Sequence, residues 1–247
     1  MLFRSFSYAS ELVRHDGAIA SLLAMDLVLG RIHDELGIES SGPRQWIHTE
    51  LVRLWKVRGP YPGLGAVLTA FGLSRGVFVA HALQQKAGEN IDPWPLVDAA
   101  FKKPDELLPK PLRADIKALA LTWKDLPADR RQFLKLLSRF ELTVEQAAKL
   151  YEEGARKRAG WGGTDREFVE NPYRIYELSR HDPEGIRLLT VDRGVFPDDA
   201  VRLVHPLEAP SCLESGVDRR RVRAFSLAAL EKAALDGHTL QSRDGLV

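Results

Sequence analysis

The chain has 247 residues, a length that suits one large or two small domains, and 45% of them are hydrophobic, as in ordinary folded proteins. Its 35 basic and 34 acidic residues leave a formal net charge of +1, so the chain as a whole does not attract nucleic acid, and any DNA contact requires a local basic cluster. The single cysteine, Cys212, excludes an internal disulfide and a zinc site built on cysteines.

The sequence contains neither a membrane span nor the apolar core of a signal peptide. No apolar run reaches the length of a membrane span. Charged residues also interrupt the N-terminal stretch where a signal peptide would need an apolar core: Arg4, Glu11, Arg14 and Asp16. We therefore expect a cytoplasmic protein with no membrane partner.

Residues 1–58 are predicted to form an N-terminal helical subdomain of two amphipathic helices. The first runs from Asp16 to Leu36, with apolar residues at helical spacing and Gly37 at the C-cap position. The second runs from about Arg44 to Val57, with Pro43 ahead of it. Five bulky residues of the second helix are expected to be buried against the first: Trp46, Ile47, Leu51, Leu54 and Trp55.

Residues 59–125 form a second predicted helical subdomain, which begins with a glycine-rich turn. Gly63, Leu64 and Gly65 precede an alanine-rich helix, a pattern similar to the turn of a helix-hairpin-helix. Glycines let the backbone approach a phosphate, and the N-terminus of the following helix directs amides and a partial positive charge toward it. Such a contact holds the DNA backbone without reading sequence, with Arg75 assisting. The alternative is a tight turn between packed helices.

Further helices are predicted downstream of this turn. They cover residues 74–87, where His81 is expected to be partly buried, a short segment that starts at Asp92, and residues 112–123. A proline-rich connection separates the last two and marks a plausible subdomain boundary.

Residues 126–247 form the third predicted region. Helices are expected over residues 127–140 and 144–151, the second starting at a capping box of Thr143 and Gln146. Thr164 and Glu167 form a second capping box. The segment from Thr190 to His205 is expected to be irregular, with a short extended piece at residues 201–204.

The last long helix is predicted to start after Asp218 and to end at Gly237. Four arginines lie in its first turn and a half, including Arg219, Arg220 and Arg223, and positive charge is unfavourable at a helix N-terminus. Anionic neighbours such as Asp218 and Glu214, or a DNA phosphate, would compensate it. Four apolar residues are expected on the buried side of the helix: Val222, Phe225, Ala229 and Ala233.

Three motifs follow one another in the last third of the chain. They are Asn-Pro-Tyr-Arg-Ile-Tyr-Glu-Leu (171–178), Gly-Ile-Arg-Leu-Leu-Thr-Val-Asp-Arg-Gly (185–194), and the last helix with Asp-Gly-His-Thr (236–239) and Arg-Asp (243–244). Their order resembles the helix-hairpin-helix region just ahead of the motor in RecD-like ATP-dependent DNA helicases (exodeoxyribonuclease V alpha-like). The resemblance implies a helical DNA-binding accessory region from DNA repair, here without the ATPase domain.

Catalytic and metal-binding motifs are absent from the sequence. The Walker A, H-E-x-x-H and G-x-S-x-G patterns do not occur, and the seven histidines are scattered. No acidic residue lies between Ala66 and Lys86, where a helix-hairpin-helix glycosylase would carry its aspartate. We expect no enzyme activity from this chain, no metal and no cofactor; ATP-dependent helicase activity would need a motor domain encoded beyond Val247.

The sequence therefore predicts an all-α protein of short helices in helix-hairpin-helix-like subdomains. The expected function is sequence-independent binding of single-stranded or junction DNA, through the amides of Gly63–Gly65 and through Arg75 and the Arg219–Arg223 cluster. The alternative is an all-α protein-interaction scaffold that docks a helicase motor or a partner subunit and binds no DNA.

Overall fold

A computed structural model describes residues 14–88 and 91–238 of the chain. Every regular element in those two ranges is helical, which confirms the expected all-α fold. Thr239, Arg243 and Asp244, which belong to the motif compared above with the junction to a motor, lie outside the described residues. The chain divides into two compact units, named here the N-terminal unit (Met1–Gly59) and the C-terminal unit (Pro60–Val247).

The described part of the N-terminal unit is a hairpin of two long helices, α1 (His15–Leu36) and α2 (Ser41–Arg58). Gly37 adopts the left-handed conformation with φ of 66°, and its N–H donates to the carbonyl of His33 to end α1. The two helices are antiparallel, because Asp16 near the start of α1 pairs with Arg58 at the end of α2, with Arg58 Nε 2.6 Å from Asp16 Oδ1.

The C-terminal unit consists of short helices that are separated by glycines, prolines and capping residues. The first group is α3 (Leu64–Phe71), α4 (Gly76–Ala87), α5 (Trp94–Lys102), α6 (Pro104–Leu107), a 3₁₀ turn (Lys110–Leu112), α7 (Arg113–Ala118) and α8 (Ala120–Lys124). The second group is α9 (Ala128–Ser138), α10 (Val144–Tyr151), α11 (Glu153–Arg158), α12 (Asp165–Glu170), α13 (Arg174–Ser179), α14 (Leu188–Val195), α15 (Asp199–Val204) and α16 (Arg219–Leu235).

One hydrophobic core runs through the C-terminal unit from Tyr61 to Ala224. Helix α3 lies near its centre and packs against α4, α9 and α10. Aromatic rings fill the space around it; Phe101 and Trp123 stack with their centroids 4.4 Å apart. The regions predicted above as residues 59–125 and 126–247 therefore contribute to a common core from Pro60 onward.

Local signals in the sequence fix several helix starts. Thr143 and Gln146 form the expected capping box, with the Gln146 N–H donating to Thr143 Oγ1 at 2.9 Å. Thr164 and Glu167 form the second one. Asp218 caps α16 by accepting the Arg220 N–H at 2.9 Å. These short polar side chains satisfy amides that lack a partner in the first helical turn.

The segment 190–205 was expected to be irregular, and this prediction is wrong. It lies mostly within α14 and α15. The Asp198 side chain accepts the Val201 N–H at 2.9 Å and caps α15, and this start signal outweighs the β-branched residues that suggested an extended piece at 201–204. The helix predicted over residues 112–123 is divided at Leu119 into α7 and α8.

Three side chains expected to be buried are exposed instead: Trp46 (59%), His81 and Val222 (44%). Trp46 and His81 are neighbours in sequence of the buried Ile47 and Ala80, and consecutive residues of an α-helix point about 100° apart. On α16, Ala224 is fully buried, and Val222, two residues earlier, points about 160° away from it.

Candidate functional site

The bend at Gly63 is buried and its amide already has an acceptor. The Gly63 N–H donates to the carbonyl oxygen of Ser138 at 2.9 Å. A Cβ atom added at this position would lie 2.8 Å from the Leu137 carbonyl oxygen and closer still to that of Phe140. Glycine is therefore required because the bend packs directly on the backbone at the end of α9, not because a phosphate approaches it.

Leu64 and Gly65 also serve the interior. Leu64 is fully buried, and its N–H donates to the Tyr61 carbonyl at 3.3 Å. A Cβ atom at Gly65 would lie 3.0 Å from Cα of Val77 on α4, and one at Gly76 would lie 2.7 Å from the carbonyl carbon of Leu68 on α3. The glycines at these two positions let α3 and α4 pack closely. This is the tight turn between packed helices that the sequence left as the alternative.

Arg220 binds protein acceptors on three sides. Its guanidinium donates to both carboxylate oxygens of Asp218, to the carbonyls of Glu170 and Pro210 at 2.8 Å, and to that of Cys212 at 2.7 Å. The hydrogen bond from Arg220 also lowers the pKa of Asp218. Arg220 thus connects the start of α16 to the end of α12 and to the loop before α16.

Two further arginines of α16 bind carboxylates of neighbouring helices. Arg221 makes a bidentate contact to Asp192 on α14, with Nε–Oδ1 2.8 Å and Nη2–Oδ2 3.1 Å. Arg223 donates from Nε to Glu177 on α13 at 2.9 Å; the Glu177 side chain is 3% exposed and that of Arg223 is 67% exposed. The positive charge at the N-terminus of α16 is therefore compensated by three protein carboxylates, one of which, Asp218, was named from the sequence.

The motif Asn171–Leu178 contributes two tyrosines, Tyr173 and Tyr176, to the contacts around α16. Tyr173 is fully buried and donates its hydroxyl to Asp192 at 2.6 Å; burial, and then the Asp192 carboxylate, raises the pKa of Tyr173. Tyr176 donates to Glu231 on α16 at 3.2 Å, and burial raises the pKa of Tyr176 to about 12. Arg180 reaches the same Glu231 at 2.6 Å.

Together these contacts form one arginine–carboxylate network, defined by the pairs Asp192–Arg221, Glu177–Arg223 and Glu231–Arg180. It joins α16 to α13 and α14 along much of its length. The residues that carry the resemblance to RecD-like helicases therefore fix the position of the last described helix.

Arg75 and Arg219 lie at the surface. The Arg75 guanidinium donates to the Pro111 carbonyl at 3.3 Å in an exposed setting, and Arg219 is exposed at the first position of α16. Of the seven residues predicted to bind DNA, Arg75, Arg219 and Arg223 are exposed and two are buried; Gly65 and Arg220 are half-buried.

A cavity of about 70 Å³ opens beside Tyr61 in the C-terminal unit. Burial raises the pKa of Tyr61 to about 12, and its ring lies 5.7 Å from the buried guanidinium of Arg139. Arg139 itself donates to the carbonyls of Gly194 and His205 at 2.8 and 2.9 Å. Four ionisable side chains line the cavity: Lys135, Arg139, Asp92 and Glu208. Because both signs are present, the cavity does not select an anion such as a phosphate.

Within residues 14–88 and 91–238, no three His, Cys, Asp or Glu side chains come together in a way that would hold a metal ion. Over the same ranges, no helix has the length and apolar character needed to cross a membrane. Comparisons of the chain with protein-family models, with curated proteins and with solved structures give no match.

Sequence reasoning did not find the acceptors of the arginine–carboxylate network. Asp192 and Glu177 lie 29 and 46 residues from their arginines, so no local spacing connects them. One signal was present: an aspartate and a glutamate occur at otherwise apolar helical positions, and buried carboxylates need cationic partners. That signal would have identified protein carboxylates as the partners of the arginine cluster.

Proposed function

We propose that the chain is an all-α protein-interaction module whose C-terminal unit docks a partner protein. The resemblance of its motif order to RecD-like helicases points to a helicase motor, or a subunit that carries one, as that partner. The observation that carries the proposal concerns α16: its arginines hold the helix in place, while several of its large apolar side chains remain exposed.

Several large apolar side chains of α16 are exposed. Val222 and Leu230, about 80° apart around the helix, are 44% and 46% exposed, and Leu235 in the last turn is 88% exposed. On α4, Val77 and Phe78 are 52% and 66% exposed. Exposed large apolar residues favour protein contact, whereas a DNA surface is polar and strongly basic.

The arginine–carboxylate network holds the proposed docking surface on α16 in a fixed position. Because α16 is joined to α13 and α14 by Arg221, Arg223 and Glu231, a partner bound to α16 is held rigidly against the C-terminal unit. A rigid surface binds more tightly than a mobile one because less conformational entropy is lost on association. An accessory unit that positions a motor needs this property.

A photocrosslinking amino acid in place of Leu230 tests the docking proposal. In cells that express the chain, we expect adducts to one partner, which mass spectrometry identifies as a RecD-like motor protein, and none from a matched position on a solvated face, Glu153. Adducts of equal yield from both positions, or none from Leu230, would contradict the proposal.

The second candidate is the sequence-independent DNA contact, which the motif order and the exposed Arg75 and Arg219 favour. It is separated from docking by titrating labelled single-stranded and junction oligonucleotides at several salt concentrations. Phosphate contacts give an affinity that falls steeply with salt. If DNA binds, Arg75→Glu with Arg219→Glu should weaken it and flatten that slope; a chain without measurable affinity at low salt is a docking module alone.

A further inference from the structure

The described part of the N-terminal unit, the α1–α2 hairpin, leaves many of its apolar residues exposed. Between Gly17 and Gly30, α1 carries one charged residue, Asp26, and that carboxylate is paired with Arg44 at 2.9 Å. A helix that is apolar on all sides is normally buried on all sides. The fully buried apolar residues of the described hairpin are only Ile19, Ile47 and Leu51.

So small a core does not support a hairpin on its own, since units of roughly 40 residues usually need a disulfide, a metal or association. Large apolar side chains are exposed on both helices: Leu23, Met25, Leu27, Val28, Leu36, Trp46, Val52 and Val57. The composition of the hairpin therefore favours a partner that covers these exposed apolar side chains.

Four residues of α1 form a regular seam, named here the α1 seam: Met25, Val28, Ile32 and Leu36. Their spacing of three, four and four residues keeps them on one side of the helix, as in helices that pack lengthwise against another helix. Met25, Val28 and Leu36 are 54%, 52% and 67% exposed. The α1 seam is distinct from the side of Ile19, which packs against α2.

The charges at the two ends of the hairpin are opposite. Around the bend, residues 31–44 contain three acidic residues, Asp34, Glu35 and Glu39, and two basic ones, Arg31 and Arg44, of which Arg44 is paired with Asp26. Near the open end, four basic residues outnumber Asp16 and Glu50, although Arg58 is paired with Asp16; the four are Arg14, Arg53, Lys56 and Arg58. Arg53, with a side chain 76% exposed, is among them.

This charge distribution identifies a second copy of the chain as the occupant. If two hairpins lie antiparallel on a two-fold axis, the acidic bend of each copy faces the basic open end of the other, and the favourable contact occurs twice. A parallel arrangement would bring like charges together. We propose that two copies of this chain associate through the α1 seam, so that their α1–α2 hairpins form an antiparallel four-helix bundle.

The inference goes beyond the docking role of α16 because it concerns another unit and another partner. Sedimentation velocity of the full chain over a range of concentrations should show a monomer–dimer equilibrium. Val28→Asp places a carboxylate in the centre of the α1 seam of both copies and should raise the dimer dissociation constant on the order of 100-fold. Leu121→Asp, at an apolar position on α8 that is 74% exposed, should leave the dissociation constant unchanged.

Charge reversal tests the orientation without touching the apolar residues. Asp34→Lys with Glu35→Lys should weaken the dimer by about tenfold at low salt, and adding Arg53→Glu with Lys56→Glu should restore it, because the pairs are re-formed with inverted signs. Helical content, followed by circular dichroism, shows that each variant is folded.

Three outcomes would overturn the proposal. The first is a wild-type chain that stays monomeric at every concentration, which would leave the seam to another partner. The second is a dimer that Val28→Asp and Leu121→Asp weaken equally. The third is a dimer that all four charge reversals together weaken more than the first two do, because this would mean that ends of the same charge meet in the dimer.

Discussion

Replacing Gly63 by alanine should destabilise the C-terminal unit. The added Cβ would lie 2.8 Å from the Leu137 carbonyl oxygen and nearer to that of Phe140, and both obstacles are backbone atoms that cannot rotate away. Relief requires the bend to move off α9, and this movement stretches the 2.9 Å hydrogen bond from Gly63 to Ser138.

The size of the effect follows from these two contributions. Overpacking a close-packed site costs about 1–3 kcal/mol, and losing a buried backbone hydrogen bond adds about 1 kcal/mol. A total near 3 kcal/mol lowers the Tm of a protein of this size by roughly 6–12 °C. Thermal unfolding followed by circular dichroism measures it. Gly162→Ala is the matched control, since a Cβ at Gly162 would have no atom within 4 Å, and we expect its Tm to change by less than about 2 °C.

One result would refute this reasoning. If Gly63→Ala unfolded at the wild-type temperature and at the same time lost affinity for an oligonucleotide, the Gly63 amide would be available to a phosphate after all. A variant that is destabilised, with oligonucleotide affinity unchanged below its Tm, places the role of this glycine in packing.

Two further predictions concern the polar interior. Asp192→Asn should lower the free energy of unfolding by about 2–3 kcal/mol, which is less than for a fully buried pair because the Arg221 side chain is 27% exposed. Denaturant unfolding measures this loss. The control is Glu153→Gln, in a surface pair, which should lower the free energy of unfolding by less than about 0.5 kcal/mol. The pKa of Tyr61 rises from 10.0 to about 12 on folding, so its contribution to stability is complete below pH 10 and is lost as the pH rises toward 12. Tyr61→Phe should therefore lose less stability than the wild-type chain as the pH rises from 10 to 12. Equal losses in the two proteins would contradict the raised pKa of Tyr61.

Local signals in the sequence were sufficient for most helices. The capping boxes at Thr143 and Thr164 and the aspartate before α16 gave correct starts, because a cap is decided by residues three or four positions apart. The same reasoning missed α15, whose start depends on Asp198 in a stretch that looked extended. Helix sides were less predictable, as Trp46 shows: it is adjacent to the buried Ile47, and the apolar spacing alone does not show which of the two meets α1.

The role of the glycines at 63 and 65 could not be decided from sequence. A glycine that admits a phosphate and a glycine that admits a neighbouring backbone have the same requirement, the absence of a Cβ atom. The distinction depends on α9, whose end meets the bend although it lies some 75 residues further along the chain. Long-range contacts of this kind leave no periodic pattern in the sequence.

The arginine–carboxylate network also limits how any DNA could bind. A phosphate that bound Arg221 would have to displace the Asp192 carboxylate, which would remain buried with no cationic partner and with only the Tyr173 hydroxyl bound, at a cost of several kcal/mol. The exposed Arg75 and Arg219 and the outer part of Arg223 could bind a phosphate without this cost. Each phosphate contact with a single strand contributes about −0.7 to the slope of log K against log salt concentration, so three contacts give a slope near −2. A measured slope much steeper than that value would require a basic surface that these arginines do not supply, and a slope near zero would leave protein docking as the function of α16.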